Sequence, residues 1–62
     1  MGVWLEIETL EGKEHLFFGS GGVVRFFDVG EAAILMLCTG EHIAVSAKSR
    51  AIWDMIRQAQ RG

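Results

Sequence analysis

The sequence contains little that could cross-link or stiffen the chain. Its 62 residues include no proline and a single cysteine, Cys38. One cysteine cannot form a disulfide within the chain, and small domains without disulfides are usually stabilised by a metal or a partner subunit. The absence of proline also leaves any edge strand without that barrier to pairing with another chain. We therefore expect self-association.

Long hydrophobic runs are also missing. The longest one, residues 32–38, falls far short of the roughly 20 residues that a membrane-spanning helix needs. No basic region followed by an apolar stretch opens the sequence, so no signal peptide is expected. These absences predict one small domain over residues 1–62, located in the cytoplasm and without a transmembrane segment.

The hydrophobic content is high for so short a chain. Half of the residues are hydrophobic, and the mean hydropathy is +0.27. A folded chain of this length buries only about 60% of the surface that its unfolded form exposes. Some apolar surface should therefore be covered by a second copy of the chain.

Charge is distributed unevenly along the sequence, although the net charge is only −2. Residues 1–31 hold six acidic and two basic side chains, and residues 32–62 hold two acidic and four basic ones. The basic residues of the C-terminal part are Lys48, Arg50, Arg57 and Arg61. Positive charge is thus concentrated on the C-terminal segment, while the N-terminal part is acidic.

Alternation of apolar and polar residues predicts a β-strand from Val3 to about Leu10. A turn at Gly12 then favours a hairpin with the next strand. Further segments rich in β-branched, aromatic or aliphatic residues follow. The predicted fold class is α+β, a four- to five-stranded antiparallel sheet at about residues 3–10, 14–18, 23–29, 32–38 and 42–46 with one C-terminal amphipathic helix at about 48–60.

The fourth predicted strand is apolar on both faces. Successive side chains of a strand point to opposite sides, so this segment divides into two apolar rows. One row is Ala33, Leu35 and Leu37, and the other is Ala32, Ile34, Met36 and Cys38. A strand of this kind should be covered on both sides.

The helix presents one apolar stripe with the spacing i, i+3, i+4, i+7. Its members are Ile52, Met55, Ile56 and Ala59. Ser46 or Ser49 is suited to cap the first turn of this helix. One helix covers one face of a sheet, so the second apolar row needs another cover, for which a second copy is the economical candidate.

Large apolar residues supply the candidate oligomer interface, since aromatic side chains are enriched at the centres of protein contacts. The candidates are Trp4, Phe17, Phe27, Ile34, Met36 and Trp53. We predict a non-enzymatic, homo-oligomeric interaction or adaptor protein.

Catalytic and metal-binding patterns are weak. Cys38 and His42 flank a turn, but a structural zinc site needs four ligands and a thiol nucleophile needs an oriented base. Glu6 and Glu8 share one strand face, as solvated carboxylates commonly do. The glycine-rich loop at residues 19–22 lacks the lysine of a phosphate-binding loop. We predict no catalytic residue, no metal and no cofactor.

A nucleic-acid-binding regulator is the alternative. The basic helical residues Lys48, Arg50, Arg57 and Arg61 could contact phosphates, and aromatic residues of the sheet could stack on bases. The acidic N-terminal part opposes the approach of a polyanion, so self-association is the preferred interpretation.

Two segments resemble a known family. Leu5–Glu14 contains a Leu-Glu-Gly-Lys-Glu hairpin pattern, and Ile34–Val45 contains a Leu-Cys-Thr-Gly turn before a strand and an amphipathic helix. This order resembles the small FlbD-like flagellar and swarming-motility proteins over nearly the whole chain. The resemblance implies a role in motility or envelope-associated machinery and supplies no catalytic positions.

The same order of elements also looks like that of single-strand DNA-binding coactivator domains. In those domains the sheet binds the strand and the helices dimerise. Their sheets are basic, whereas the sheet predicted here is acidic.

Overall fold

A computed structural model describes residues 2–61. The elements are β1 (Val3–Thr9), β2 (Gly12–Phe18), β3 (Val23–Val29), β4 (Ala32–Leu37), β5 (His42–Val45) and α1 (Ser49–Arg61). Every predicted strand and the helix are present, with each boundary within two residues of its expected position. No helix in this described range is long and apolar enough to cross a membrane.

The strands form two antiparallel ribbons. The first, called the hairpin here, pairs β1 with β2 from Val3 opposite Phe18 to Thr9 opposite Gly12. The second, called the three-stranded ribbon, places β4 between β3 and β5. Each ribbon follows directly from the turn positions in the sequence, because consecutive strands joined by short turns pair with each other.

The two ribbons join through single residue pairs and close into a barrel. Phe18 of β2 pairs with Val23 of β3 in parallel orientation, and Thr9 of β1 pairs with Val45 of β5 in antiparallel orientation. The sheet is therefore mixed, whereas the sequence predicted a wholly antiparallel one. The sequence prediction also did not include the closure of the barrel.

The glycine-rich loop makes the parallel join sterically feasible. A Cβ atom at Gly22 would overlap the carbonyl oxygen of Phe17, so the chain passes too closely there for any side chain. The Gly19 N–H donates to the Val23 carbonyl at 3.0 Å, and the Cys38 N–H donates to the Gly22 carbonyl at 2.9 Å. The first bond holds the start of β3 beside the end of β2, and the second joins the loop to the residue that follows β4.

The inward rows of both ribbons form one hydrophobic core. Its buried side chains are Leu5, Ile7, Phe18, Val23, Ala33, Leu35, Val45, Ile52 and Ile56. The helix contributes the last two and packs against β1 and β3, one strand from each ribbon. Burial of apolar side chains therefore links the hairpin, the three-stranded ribbon and α1.

The predicted helical stripe is confirmed for three of its four members. Ile52 and Ile56 are buried and Met55 is partly buried, whereas Ala59 is exposed. Residues 57–61 are all exposed, because the last turns of α1 add no side chain to the core. The stripe was therefore predicted one turn too long.

The first turn of α1 is capped from a distant strand. A carboxylate oxygen of Asp28 on β3 accepts a hydrogen bond from the Ser49 N–H at 2.8 Å, and the Lys48 ammonium donates to the carbonyl of Gly30. The hydrogen bond from Ser49 lowers the pKa of the Asp28 carboxyl group. A strand carboxylate thus takes the place of the serine cap that the local sequence suggested.

Candidate interaction surfaces

The outward side of the three-stranded ribbon is apolar. We call it the apolar face and define it by Phe27, Val29, Ala32, Ile34, Met36 and Ala44. Strand register places Phe27 opposite Ile34, and Ile34 opposite Ala44, so one apolar row crosses all three strands. The row next to it runs from Arg25 through Met36 to His42, and this row ends in polar groups at both edges.

The side chains of the apolar face are only partly shielded from solvent by the rest of the chain. Phe27 is 36% exposed and Val29 is 53% exposed, while Ile34 and Met36 are partly buried by their neighbours on the sheet. The Arg25 guanidinium carbon lies 5.5 Å from the centroid of the Phe27 ring, within the range of a cation–π contact. This contact shields one edge of the face and leaves Ile34, on the central strand, at its middle.

The doubly apolar character of β4 is confirmed as a structural feature. Ala33 and Leu35 point inward and are fully buried, whereas Ile34 and Met36 point outward and are only partly buried. Cys38 lies beyond the end of the strand and is exposed. The inward row belongs to the core that Ile52 and Ile56 of the helix also enter.

The outward side of the hairpin is mainly polar. Glu6 lies opposite His15, with 3.5 Å between a carboxylate oxygen and the imidazole Nε2, and Glu8 lies opposite Lys13. At one end Trp4 lies opposite Phe17, and their ring centroids are 5.3 Å apart. The hairpin therefore presents polar cross-strand pairs and one aromatic pair.

The six predicted interface residues occupy three separate places. Phe27, Ile34 and Met36 share the apolar face, and Trp4 and Phe17 form the aromatic pair of the hairpin. Trp53 lies on α1, with its ring centroid 5.3 Å from that of Phe26. The six residues therefore do not lie on one contact surface.

Trp53 has a structural role that the sequence did not indicate. Its ring packs on Phe26, whose ring centroid in turn lies 5.9 Å from that of the buried Phe18. The rings of Trp53, Phe26 and Phe18 therefore form a contiguous row from α1 to the core, and this row holds the helix against β3. Trp53 is still 52% exposed.

The predicted basic residues do not form a uniform positive surface. Arg50, Arg57 and Arg61 recur at i, i+7 and i+11, on the helical side opposite Ile52. Asp54 lies in the same stripe, with 3.2 Å between its carboxylate and the Arg57 guanidinium. Because Lys48 contacts the Gly30 carbonyl as well, two of the four basic groups have partners within the chain. This arrangement does not favour nucleic-acid binding.

The apolar face includes residues that the sequence interpretation overlooked. Val29 and Ala44 belong to it together with the predicted members, and Ala32 belongs to it as the sequence predicted for the outward row of β4. The signal for Val29 was its spacing of two from Phe27 along β3, because alternate residues of a strand share a face. Ala44 lies on β5, and its register with Ile34 places it on the face. Within the described part of the chain, no group of three or more His, Cys, Asp or Glu residues is placed to hold a metal ion.

No protein-family model, curated protein or solved structure matches the chain.

Proposed function

We propose that the protein is a non-enzymatic, homo-oligomeric interaction module whose copies contact each other through the apolar face. The supporting observation is the uninterrupted row formed by Phe27, Ile34 and Ala44 across three strands. Contiguous exposed apolar patches are uncommon on soluble monomers and mark sites of interaction.

A second copy of the chain suits the shape of this surface. Two sheets pack face to face at about 10 Å when their facing rows are apolar. A two-fold dimer would place Ile34, in the middle strand, near the symmetry axis, where the same patch meets itself. A standard interface covers about 800 Å² of each partner, close to a fifth of this chain's 4419 Å² surface. Arg25 and His42 would lie at the rim.

Dimerisation would also account for the small size of the chain. Among the described residues 2–61, nine apolar side chains are buried in the core, and the single cysteine cannot supplement it with a disulfide inside the chain. Covering the apolar face removes further apolar surface from water and stabilises the folded state by mass action.

The biological setting follows from the sequence resemblance. The hairpin and strand patterns shared with FlbD-like proteins support a regulatory or adaptor role in motility or envelope-associated machinery. The single cysteine supports a cytoplasmic location, because secreted small domains usually depend on disulfides.

Sedimentation equilibrium over a range of concentrations tests the proposal. We expect the wild-type chain to form a dimer. Ile34→Gln should stay folded, but loss of one central apolar contact should raise the dissociation constant of the dimer about tenfold or more. The variant should therefore be monomeric at concentrations where the wild-type chain is a dimer. Val24→Gln is the matched control, since Val24 is exposed and lies where the register of β3 with β4 shifts, between Val23 and Arg25.

A monomeric wild-type chain at micromolar concentration would contradict the proposal. Equal weakening by Ile34→Gln and Val24→Gln would contradict the assignment of the contact to the apolar face. Far-ultraviolet circular dichroism confirms that each variant is folded before its mass is compared.

A further inference from the structure

Met36 is the only sulfur-containing member of the apolar face. It points outward from β4 and is partly buried, whereas Met55 on α1 packs against the core. A thioether is apolar, and peroxides convert it into a polar sulfoxide. Met36 is therefore the position at which oxidation changes the chemistry of the apolar face.

Met36 lies between two side chains that donate hydrogen bonds. Strand register places Arg25 of β3 opposite Met36 on one side and His42 of β5 opposite it on the other. The Cβ atoms of directly opposite residues are about 4.5–5.5 Å apart. The Arg25 guanidinium is held over the same face, with its carbon 5.5 Å from the centroid of the Phe27 ring. Ile34, by contrast, lies opposite the apolar Phe27.

These neighbours favour the oxidised form of the single chain over that of the dimer. A sulfoxide oxygen accepts hydrogen bonds, and a guanidinium group and an imidazole ring both carry N–H donors. On the single chain, water and the exposed side chains of Arg25 and His42 can satisfy that oxygen. In the dimer the same oxygen would enter an apolar contact, and a polar group buried without a partner weakens association.

We propose that Met36 is a redox switch of the dimer, so that oxidation of its thioether by a peroxide separates the copies and reduction of the sulfoxide restores them. This inference rests on the proposed dimer through the apolar face. In the oxidation step the sulfur lone pair attacks one peroxide oxygen, an S–O bond forms and the O–O bond breaks. Sulfur loses two electrons, and the hydroxide that leaves takes the proton of the transferred oxygen, which gives the sulfoxide and water.

The dimer would protect Met36 from the reagent, because the proposed contact covers its side chain. Oxidation would then proceed through the single chain that exchanges with the dimer. At about ten times the dissociation constant, roughly a fifth of the chains are single, so oxidation at Met36 should be about fourfold slower than in dilute protein. Oxidation at Met55, on α1, should not depend on protein concentration.

The first experiment measures association before and after oxidation by hydrogen peroxide. The chain carries Cys38→Ser, which removes the exposed thiol, and peptide mapping by mass spectrometry locates the added oxygen. Sedimentation equilibrium should give a dissociation constant about tenfold or more higher for the chain oxidised at Met36. Methionine sulfoxide reductases for both epimers should restore the original value. Far-ultraviolet circular dichroism confirms that the oxidised chain is folded.

Two substitutions assign the effect to one methionine, and each variant is compared with its own untreated form. Met36→Leu has no thioether on the apolar face, so peroxide should change its dissociation constant by less than about twofold. Met55→Leu keeps Met36, so peroxide should weaken its association about tenfold or more, as in the parent chain.

The outcomes separate the switch from the dimer. An untreated chain that stays monomeric would contradict the proposed dimer itself. If the untreated chain is a dimer and the chain oxidised at Met36 associates equally well, the switch is overturned and the dimer stands. Equal weakening of Met36→Leu and the parent chain by peroxide would also overturn the switch, as would oxidation at Met36 that is independent of protein concentration.

Discussion

The outward sides of the two ribbons differ although their inward sides are alike. Leu5 and Ile7 on the hairpin, and Ala33 and Leu35 on the three-stranded ribbon, face the same core. Outside, the hairpin carries charged residues, and the three-stranded ribbon carries an apolar row. The inward rows form the core of the single chain, and the difference between the outward sides is the observation that supports the proposed contact.

The polar side chains on the outward side of the hairpin have cross-strand partners within the chain. Glu6 has His15 as its cross-strand partner and Glu8 has Lys13, and such pairs remain hydrated at a surface. On the apolar face, Phe27 lies between Ile34 and the Arg25 guanidinium, and Ile34 lies between Phe27 and Ala44, so their neighbours are mainly other apolar side chains. The four predictions below test this contrast, from the largest expected effect to the smallest.

Neighbouring residues on β4 should differ greatly in their contribution to folding. Leu35→Ala removes a fully buried side chain, and we expect a loss of about 2–5 kcal/mol in the free energy of unfolding. Ile34→Ala alters the outward side and should cost the monomer about 1 kcal/mol. Urea unfolding at low protein concentration measures both changes, and equal losses would contradict the inward and outward assignment.

A lysine substitution on the apolar face should affect association, whereas one on the outward side of the hairpin should not. Met36→Lys brings a charge into the proposed contact, so we expect the dimer to dissociate at a cost of several kcal/mol. His15→Lys makes a comparable change beside Glu6 on the hairpin and should leave association unchanged. Light scattering compares the two, and a dimeric Met36→Lys variant would exclude the apolar face as the contact.

The Asp28 cap should make the attachment of α1 sensitive to acid. Because the hydrogen bond from Ser49 lowers its pKa below the ordinary 3.8, Asp28 stabilises the fold fully above that value and loses this effect as the pH falls further. Asp28→Asn removes the titration. Melting temperatures of the two proteins should therefore converge below about pH 4, and a constant difference at all pH values would contradict the assigned cap.

The smallest effect is expected at the cross-strand pair of Glu6 and His15 on the hairpin. Glu6 and His15 are both largely exposed, so a double-mutant cycle with Glu6→Gln and His15→Gln should give a coupling of less than about 1 kcal/mol. Association should not change in either variant. A coupling of several kcal/mol would show that this side is buried in the assembly.

Local sequence patterns predicted the elements well. The alternation beginning at Val3 and the turn at Gly12 indicated the hairpin, and the stripe of Ile52 and Ile56 indicated the buried side of α1. These features arise from residues close together in sequence, so their period and turn chemistry can be read directly.

Features that join residues far apart in the sequence could not be predicted from local patterns. Barrel closure depends on one pair between Phe18 and Val23 and another between Thr9 and Val45, and neither pair has a pattern of its own. The cap from Asp28 joins residues 21 positions apart. Counting apolar rows still indicated that β4 has two apolar sides, although it could not show that Trp4 and Trp53 lie away from the apolar face.

Intermolecular contacts between the copies offer the most direct test of the central claim. Isotope-filtered nuclear Overhauser spectra of a mixture of labelled and unlabelled chains detect only contacts between copies. We predict contacts from the Ile34 methyl groups to Phe27 or Met36 of a second copy. Intermolecular contacts confined to the Trp4 and Phe17 rings, or none at concentrations where the chain is a dimer, would contradict the proposed interface.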